Sequence, residues 1–277
     1  HGIGIVTASL FLYLVGASMS FDRGMLLNMV YPPAAMLLGF TATQGYRIFF
    51  EQAQRRLVQD LMSRYLSPSV SQWVLQQPEQ LKLGGETRVM TVLFCDLRGF
   101  TTLSRSVDPH LLVSFMNDFM TAMTDIVFRH DGVLDKFIGD EVMAFWNAPR
   151  EQPDHAALAC QAALEMVREI DGLRSSWSHR GLPPLDIGVG INTGSMVVGN
   201  MGSRERLAYT VIGDAVNVAS RLQNLNKQFS THVLTTETTR KAAGDRFVYR
   251  AIEQVKLRGH DEPLTVYELL GPDVSIP

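Results

Sequence analysis

Short apolar strands alternating with helices and hairpins over residues 84–271 predict an α/β fold, an α+β sandwich in which a mixed sheet lies under helices. Two transmembrane helices and a juxtamembrane helix are expected ahead of it. Three observations carry this reading. "VMTVLFC" (Val89–Cys95) is a strand-forming run that stops at Asp96. "VLDKFIG" and "EVMAFW" flank Gly139-Asp140 as two strands flank a hairpin turn. The runs Gly2–Phe21 and Gly24–Tyr46 contain no charged residue.

Each uncharged run has about the 20 residues that a helix needs to cross a bilayer core. Residues 1–46 therefore read as a transmembrane hairpin, with spans at about 2–21 and 24–46 around the polar turn Asp22-Arg23. A secretory signal lacks support because there is no basic start and a second run follows. A buried core hairpin is disfavoured by the length of the runs. Pro32 and Pro33 lie inside the second run, where neighbouring membrane helices can satisfy the freed backbone groups. Arg47, Arg55, Arg56 and Arg64 follow, and the positive-inside bias places the rest of the chain in the cytoplasm. The expected location is the cell inner (plasma) membrane, multi-pass. The opening at His1 makes further upstream sequence an expectation.

Residues 47–83 form the next segment. Phe50, Leu57, Leu61 and Tyr65 recur at helical spacing with charges between them, which suits an amphipathic signalling helix paired with a copy of itself. A plain spacer is the alternative. Ser67-Pro68 and Gln77-Pro78 break the helix, and Gly84-Gly85 opens the globular domain. Residues 272–277 remain as a tail.

Within the domain, Asp108-Pro109 is a cap followed by a first-turn proline. Leu112, Phe115, Phe119, Met123 and Ile126 mark the buried face of the helix that follows, closed at Asp131-Gly132. Asp154 starts a helix running to about Ser178. "LDIGVGINTG" and "MVVGNMG" read as two strands with glycine turns, and "DAVNVASRLQNLNKQ" as a helix. "FVYRAIEQVKLRG" and "LTVYELL" alternate like strands. A formal charge of −3 gives no sign of nucleic-acid binding, and Cys95 and Cys160 lack metal-like spacing.

The chemistry gathers at strand ends. Asp96 ends an apolar strand, and Arg98-Gly99-Phe100-Thr101 lead into a helix start, a place where free N–H groups cradle phosphate. Asp140 is a second carboxylate in a glycine-supported turn, with Glu141 as a rival. Two convergent carboxylates suit a pair of divalent ions on a phosphoryl group. Lys136 and Asp140 are four residues apart, but on a strand that means roughly 13 Å rather than a helical ion pair. Asn217 and Arg221 are one helical turn apart beside an apolar stripe of Val218, Leu222 and Leu225.

Taken together, "VLFCDLRGFTTLS", "DKFIGDEVMAFW", "GINTGSMVVGNMGS" and "YTVIGDAVNVASRLQ" resemble the catalytic domain of the class III nucleotidyl cyclases, in order, from roughly Glu86 to Leu270. The resemblance implies a ferredoxin-like domain with a two-metal site, Mg²⁺ or Mn²⁺, two ions per active site. Its metal ligands would be Asp96, Asp140 and the Leu97 carbonyl. It implies that Arg221 stabilises the transition state, Asn217 orients the ribose, and Phe100 and Thr101 lie in the substrate-binding loop. Arg258 would bind the triphosphate, with Lys256 as its rival. Base selection falls on Lys136 and Thr210, and lysine with threonine resembles the adenylate-specific class IIIb pattern. Guanylate cyclases carry glutamate and cysteine there. The chemistry agrees: a lysine donor fits adenine N1, and a threonine oxygen can accept from N6.

The implied activity is an adenylate cyclase that converts ATP to 3′,5′-cyclic AMP and pyrophosphate at a homodimer interface, regulated through the membrane region. A guanylate cyclase or a catalytically silent nucleotide-sensing transducer is the alternative. "IGDEV" is only faintly similar to the GGDEF motif of diguanylate cyclases. The membrane hairpin with "YPPAAMLLGF" and "SRYLSPSV" is similar to cyclases that carry a CHASE-type sensor upstream, which would be a further partner domain.

Overall fold

A computed structural model of the chain describes residues 2–21, 31–65, 70, 83–203, 205–256 and 263–273. The chain divides into two compact units, His1–Arg64 and Tyr65–Pro277.

The first unit holds helices α1 (Gly2–Phe21) and α2 (Tyr31–Tyr65). The sequence places a span at about 24–46 and an amphipathic helix in the segment 47–83 that follows it. One helix of 35 residues, α2, runs through parts of both segments. Pro32 and Pro33 fall in its first turn, where a missing N–H costs no intrahelical bond. Further along, Thr41 and Thr43 return their hydroxyls to the Leu37 and Gly39 carbonyls at 2.9 and 2.6 Å, and Arg47 pairs with Glu51 at 3.0 Å. The helix is described as far as Tyr65, and the expected break at Ser67-Pro68 lies outside the described residues. The expected break at Gln77-Pro78 and the side chains of Leu57, Leu61 and Tyr65 lie outside the described residues.

Among the described residues, the one helix both long and apolar enough to cross a bilayer is Pro109–Arg129. That helix buries Phe115, Phe119, Met123 and Ile126 completely, so it belongs to a globular core. The apolar stretch Thr7–Met19 of α1 is shorter, and Gly24–Val30 of the second expected span lies outside the description. Both α1 and the start of α2 expose large apolar side chains, including Phe11, Leu12, Leu37 and Leu38.

The second unit is an eight-stranded mixed sheet. Its strands are β1 (Gly84–Arg98), β2 (Val133–Ile138), β3 (Glu141–Trp146), β4 (Asp186–Gly202), β5 (Leu207–Ile212), β6 (Val233–Thr236), β7 (Phe247–Val255) and β8 (Leu264–Pro272). The order is β2-β3-β1-β4-β6-β8-β7, with β5 paired to β4. Only the β4–β6 pair is parallel among those described. "LDIGVGINTG" and "MVVGNMG" are one strand rather than two. Gly194 does not turn the chain, because β1 pairs with β4 without a break from Gly84↔Asn200 to Arg98↔Asp186. Length lets β4 hold β6 at Val189–Ile191 and β5 at Val197–Gly202 on the same edge.

The helices are α3 (Phe100–Leu103), α4 (Pro109–Arg129), α5 (His155–His179), α6 (Asp214–Phe229) and α7 (Glu237–Ala243). Strand alternation sends Leu93, Cys95 and Leu97 of β1 and Ile187, Val189 and Ile191 of β4 to one face, where α4 and α5 close the main core. Burying Phe115, Phe119, Trp146 or Trp177 there is worth about 1.5–3 kcal/mol each. Asp108 caps α4 by accepting from the His110 and Leu111 N–H groups, with Pro109 at the first position. Asp154 precedes α5 without a side-chain cap; there His155 Nδ1 instead meets Thr91 Oγ1 at 2.7 Å, and Thr91 meets Thr193 at 2.7 Å.

The opposite face takes α6. A Cβ on Gly190 would lie 2.2 Å from the Ala219 carbonyl oxygen and 2.3 Å from the Gln223 nitrogen. The helix therefore rests on bare backbone, closer than any side chain permits. Its end is pinned by Asn226, which is fully buried and donates to the Val189 carbonyl at 2.8 Å. Gly190→Ala is expected to lower stability by about 1–3 kcal/mol through overpacking. A thermal melt should read this as a fall of roughly 2–12 °C. An unchanged melting temperature would show that α6 does not need this contact.

Candidate active site

The hairpin between β2 and β3 turns at Gly139-Asp140, and Gly139 has φ +67°, a left-handed conformation that glycine adopts without a Cβ clash. Lys136 lies in β2 and Asp140 in the turn, so they form no helical pair. In the β1–β3 ladder Cys95 faces Val142. The next step along β1 puts Asp96 beside Asp140 and Glu141.

Electrostatics confirms that closeness. Asp96 is pushed up to about 7, first by burial, then by the charge of Asp140, a side-chain hydrogen bond with Asp140, and the charge of Glu141. The Leu97 backbone opposes this weakly. Glu141 also rises to about 7, from burial and then the Asp140 charge. Burial drives the Cys95 thiol up, and the charges of Asp96 and Glu141 add to the shift, so this cysteine is an inert core residue.

α6 lies on the same face of the sheet as Asp96, which sits opposite Gly188 in the β1–β4 ladder. Gln223 reaches Asp96 Oδ2 at 3.4 Å, a contact that sequence reasoning missed. Its signal was positional: Gln223 is two residues after Arg221 on a helix packed over glycine. Asn217 is exposed and Arg221 is half-buried, and Arg221 Nη1 is buried without a hydrogen-bond partner among the described residues. A buried guanidinium nitrogen left unpaired is suited to an anion.

The base-selecting candidates form a second cluster. Lys136 Nζ donates to Thr210 Oγ1 at 3.1 Å, joining β2 to β5. Beneath them lies Asp135, a residue the sequence reading passed over. Its Oδ2 accepts from the Thr210 hydroxyl at 2.5 Å, and its Oδ1 lies 3.2 Å from Lys136 Nζ. Burial pushes the Asp135 carboxyl up, while Thr210, Lys136 and the Val211 backbone N–H pull it down. Among the described residues, no hydrogen bond or ion pair joins this cluster, or Arg221 and Asn217, to the Asp96–Asp140 pair.

The remaining candidates separate. Gly99 (φ +84°) does open a helix, but α3 is a single turn of four residues, so its dipole is small. Phe100 packs against the main core and Thr101 is exposed. Arg258 lies outside the described residues, and Lys256 is exposed just after β7.

The side-chain donors fit a hard divalent cation such as Mg²⁺ or Mn²⁺: two converging carboxylates, one of them raised to about 7 by burial and then by the charge of the other. No group of three His, Cys, Asp or Glu side chains suited to a metal occurs among the described residues. Such a site would therefore take its other oxygens from phosphate and water.

The family model for the adenylate and guanylate cyclase catalytic domain matches residues 85–271. The chain belongs to this cyclase family. Adenylate cyclase 1 of Rhizobium meliloti (strain 1021) is 37% identical over 182 residues, which cover 66% of this chain and 27% of that protein. The chain thus spans about a quarter of the length of that curated relative. Among solved structures, the guanylyl cyclase Cya2 is 34% identical with a TM-score of 0.64, covering 70% of this chain and 98% of that one. The adenylyl cyclase CyaB from P. aeruginosa is 32% identical with a TM-score of 0.65, covering 70% of this chain and 100% of that one. Both substrate names therefore occur among the neighbours of this cyclase domain, whose family acts with divalent metal ions.

The raised carboxylate gives the cyclase a testable pH response. Asp96 keeps a proton in the fold up to about pH 7, whereas the unfolded chain releases it near 3.8. The fold therefore loses stability as pH rises between those values, and the full penalty applies above them. Asp96→Asn should raise the melting temperature at pH 8 and leave it unchanged at pH 4. Mn²⁺ at a hundredfold excess over its Kd should stabilise the unsubstituted chain by about 2.7 kcal/mol at pH 8, and much less at pH 5, where protons compete. Equal Mn²⁺ shifts in the two proteins would exclude Asp96 as a ligand.

Proposed function

We propose that the chain is an adenylate cyclase, converting ATP to 3′,5′-cyclic AMP and pyrophosphate. The observation that carries this reading is the Lys136–Thr210 contact of 3.1 Å. It sets an ammonium donor beside a hydroxyl oxygen, the complement of adenine N1 and its 6-amino group. Guanine presents an N1–H donor and an O6 acceptor, the reverse pattern. The guanylyl neighbour makes the nucleotide a question for assay.

In this reading, divalent ions held by Asp96, Asp140 and the Leu97 carbonyl would supply the Lewis acidity that activates the ribose 3′-hydroxyl and offsets phosphate charge. Arg221, with a buried nitrogen free of partners among the described residues, stabilises charge developing on the α-phosphoryl. Asn217, one turn earlier on α6, orients the ribose. Phe100 and Thr101 at the start of α3, together with Arg258, serve the triphosphate.

The working unit is a homodimer with two shared sites. Among the described residues no hydrogen bond or ion pair links the acidic pair to Arg221 or to the Lys136–Thr210 cluster, which fits sites shared between two copies. The exposed Phe137, Ile138 and Ile212 fit this as well, flanking the base-selecting residues with apolar surface. Lys136 and Asp140 of one chain would then serve two different nucleotides.

The purified chain should form cyclic AMP from ATP with Mg²⁺ or Mn²⁺, and should use GTP poorly. Asp96→Ala and Arg221→Ala should each lose activity by at least about 100-fold, and their mixture should recover part of it through one intact composite site. Absence of cyclic AMP with either metal would reject the enzyme assignment. A dead mixture in which heterodimers demonstrably form would reject the shared site.

The amino-terminal unit anchors the enzyme in the cell inner membrane as two spans. The uncharged runs, the exposed apolar side chains of α1 and α2, and the arginines from Arg47 onward support this. The unbroken α2 suits a rod that transmits an upstream signal to the dimer. In fractionated cells the chain should pellet with membranes and resist alkaline carbonate, whereas a form starting at residue 66 should not pellet. Release of the whole chain by carbonate would overturn the anchor.

A further inference from the structure

We propose that Asp135 is a third determinant of base selectivity, a positioning residue that fixes the polarity of the Thr210 hydroxyl. This rests on the assignment of Lys136 and Thr210 as the base-reading pair.

A threonine hydroxyl has one hydrogen and two lone pairs, so it can meet a base edge as donor or as acceptor. Adenine needs an acceptor opposite its 6-amino group, and guanine needs a donor opposite O6. The residue type alone leaves that choice open. In the structure Thr210 gives its one hydrogen to Asp135 Oδ2 at 2.5 Å. A carboxylate only accepts, so the direction is settled. Thr210 also accepts from Lys136 Nζ at 3.1 Å. What the hydroxyl retains for a ligand is lone-pair density, which attracts an amino group and repels a carbonyl oxygen. The same carboxylate lies 3.2 Å from Lys136 Nζ, an ion pair that keeps the lysine donor beside Thr210.

Asp135 is held firmly enough to do this. Its side chain is 1% exposed, whereas that of Lys136 is 44% exposed and has room to turn toward a ligand. The β2–β3 register shifts between Leu134 and Lys136, a bulge at Asp135 that brings successive side chains to one cluster. The Val211 N–H from β5 supplies a third donor to the carboxylate. A buried, paired charge is a weak source of stability compared with an apolar residue of similar size. The carboxylate adds a directional acceptor, and Thr210 is the group it directs.

The test uses the whole purified chain, dispersed in detergent, with ATP, GTP and purine riboside triphosphate, which lacks the 6-amino group. The unsubstituted enzyme should prefer ATP to the purine analogue. In Asp135→Asn the side-chain amide can present its NH₂ to Thr210, freeing the hydroxyl hydrogen. The preference for ATP over the analogue should then fall about tenfold, the worth of one hydrogen bond. The loss should appear in KM for ATP, with kcat/KM for the analogue nearly unchanged. Asp135→Ser should act in the same direction, and Asp135→Asn should add nothing in a Thr210→Val background. Equal losses on ATP and the analogue, an unchanged preference, or failure of both Asp135 variants to fold would assign Asp135 to structure and overturn the proposal. An enzyme that prefers GTP would instead reject the adenylate reading. An ATP-selective enzyme whose variants keep their selectivity rejects only the role of Asp135.

Discussion

The contact between α6 and the bare backbone of β4 is the constraint on which the site depends. Gly190 has no room for a Cβ against Ala219 and Gln223, and Gly188 lies close to Gln223 and Asn226. Dense packing at this spot sets the height of the helix above the sheet. That height places Gln223 within reach of Asp96 and leaves Asn217 and Arg221 on the outward side of the same helix. Asn226 then locks the far end of α6 to β4 through Val189. β4 has the length to carry β5 on one stretch and β6 on another, so α6 crosses between them over that fixed seat.

Around this seat the two sides of the sheet do different work. The face under α4 and α5 is apolar and closed, with Leu93, Cys95 and Leu97 buried beside Ile187, Val189 and Ile191. The other face carries charge that the fold does not neutralise by itself. Burial, and then the charge of Asp140, raises the proton affinity of Asp96 and of Glu141, because little water is left to screen them. Such repulsion costs stability, and natural sites retain it where a ligand of opposite charge relieves it. Arg221 carries the matching deficit, a buried donor that lacks an acceptor among the described residues.

The second cluster shows the opposite solution. Asp135 is more deeply enclosed than the acidic pair, yet it is surrounded by donors from β2 and β5 and is internally satisfied at Oδ2. Its neighbours Lys136 and Thr210 inherit a defined hydrogen-bond direction from it. One cluster thus holds charge that the fold leaves uncompensated, and the other is paired internally.

Much of this was legible in the residues themselves. The Gly139-Asp140 hairpin, the Asp108-Pro109 cap and the apolar stripe of α4 are local features, governed by periodicity and turn chemistry, and they stand where the sequence placed them, whereas the strand read as stopping at Asp96 runs on to Arg98 because β4 pairs with it that far. The motif order identified the family. Other features required the fold. β4 reads as two strands until the unbroken ladder with β1 shows that Gly194 stays extended. Pro32 and Pro33 read as needing help from neighbouring helices, whereas α2 carries them at its own start, from Tyr31. Asp135 and Gln223 escaped notice because their partners, Thr210 and Asp96, are distant in sequence and meet them only through sheet pairing and helix seating. Sequence alone determined which groups are present and which local turns present them. Tertiary structure decided which of them meet, because hydrogen-bond direction and carboxylate charge depend on neighbours that only folding brings within 3.5 Å or so.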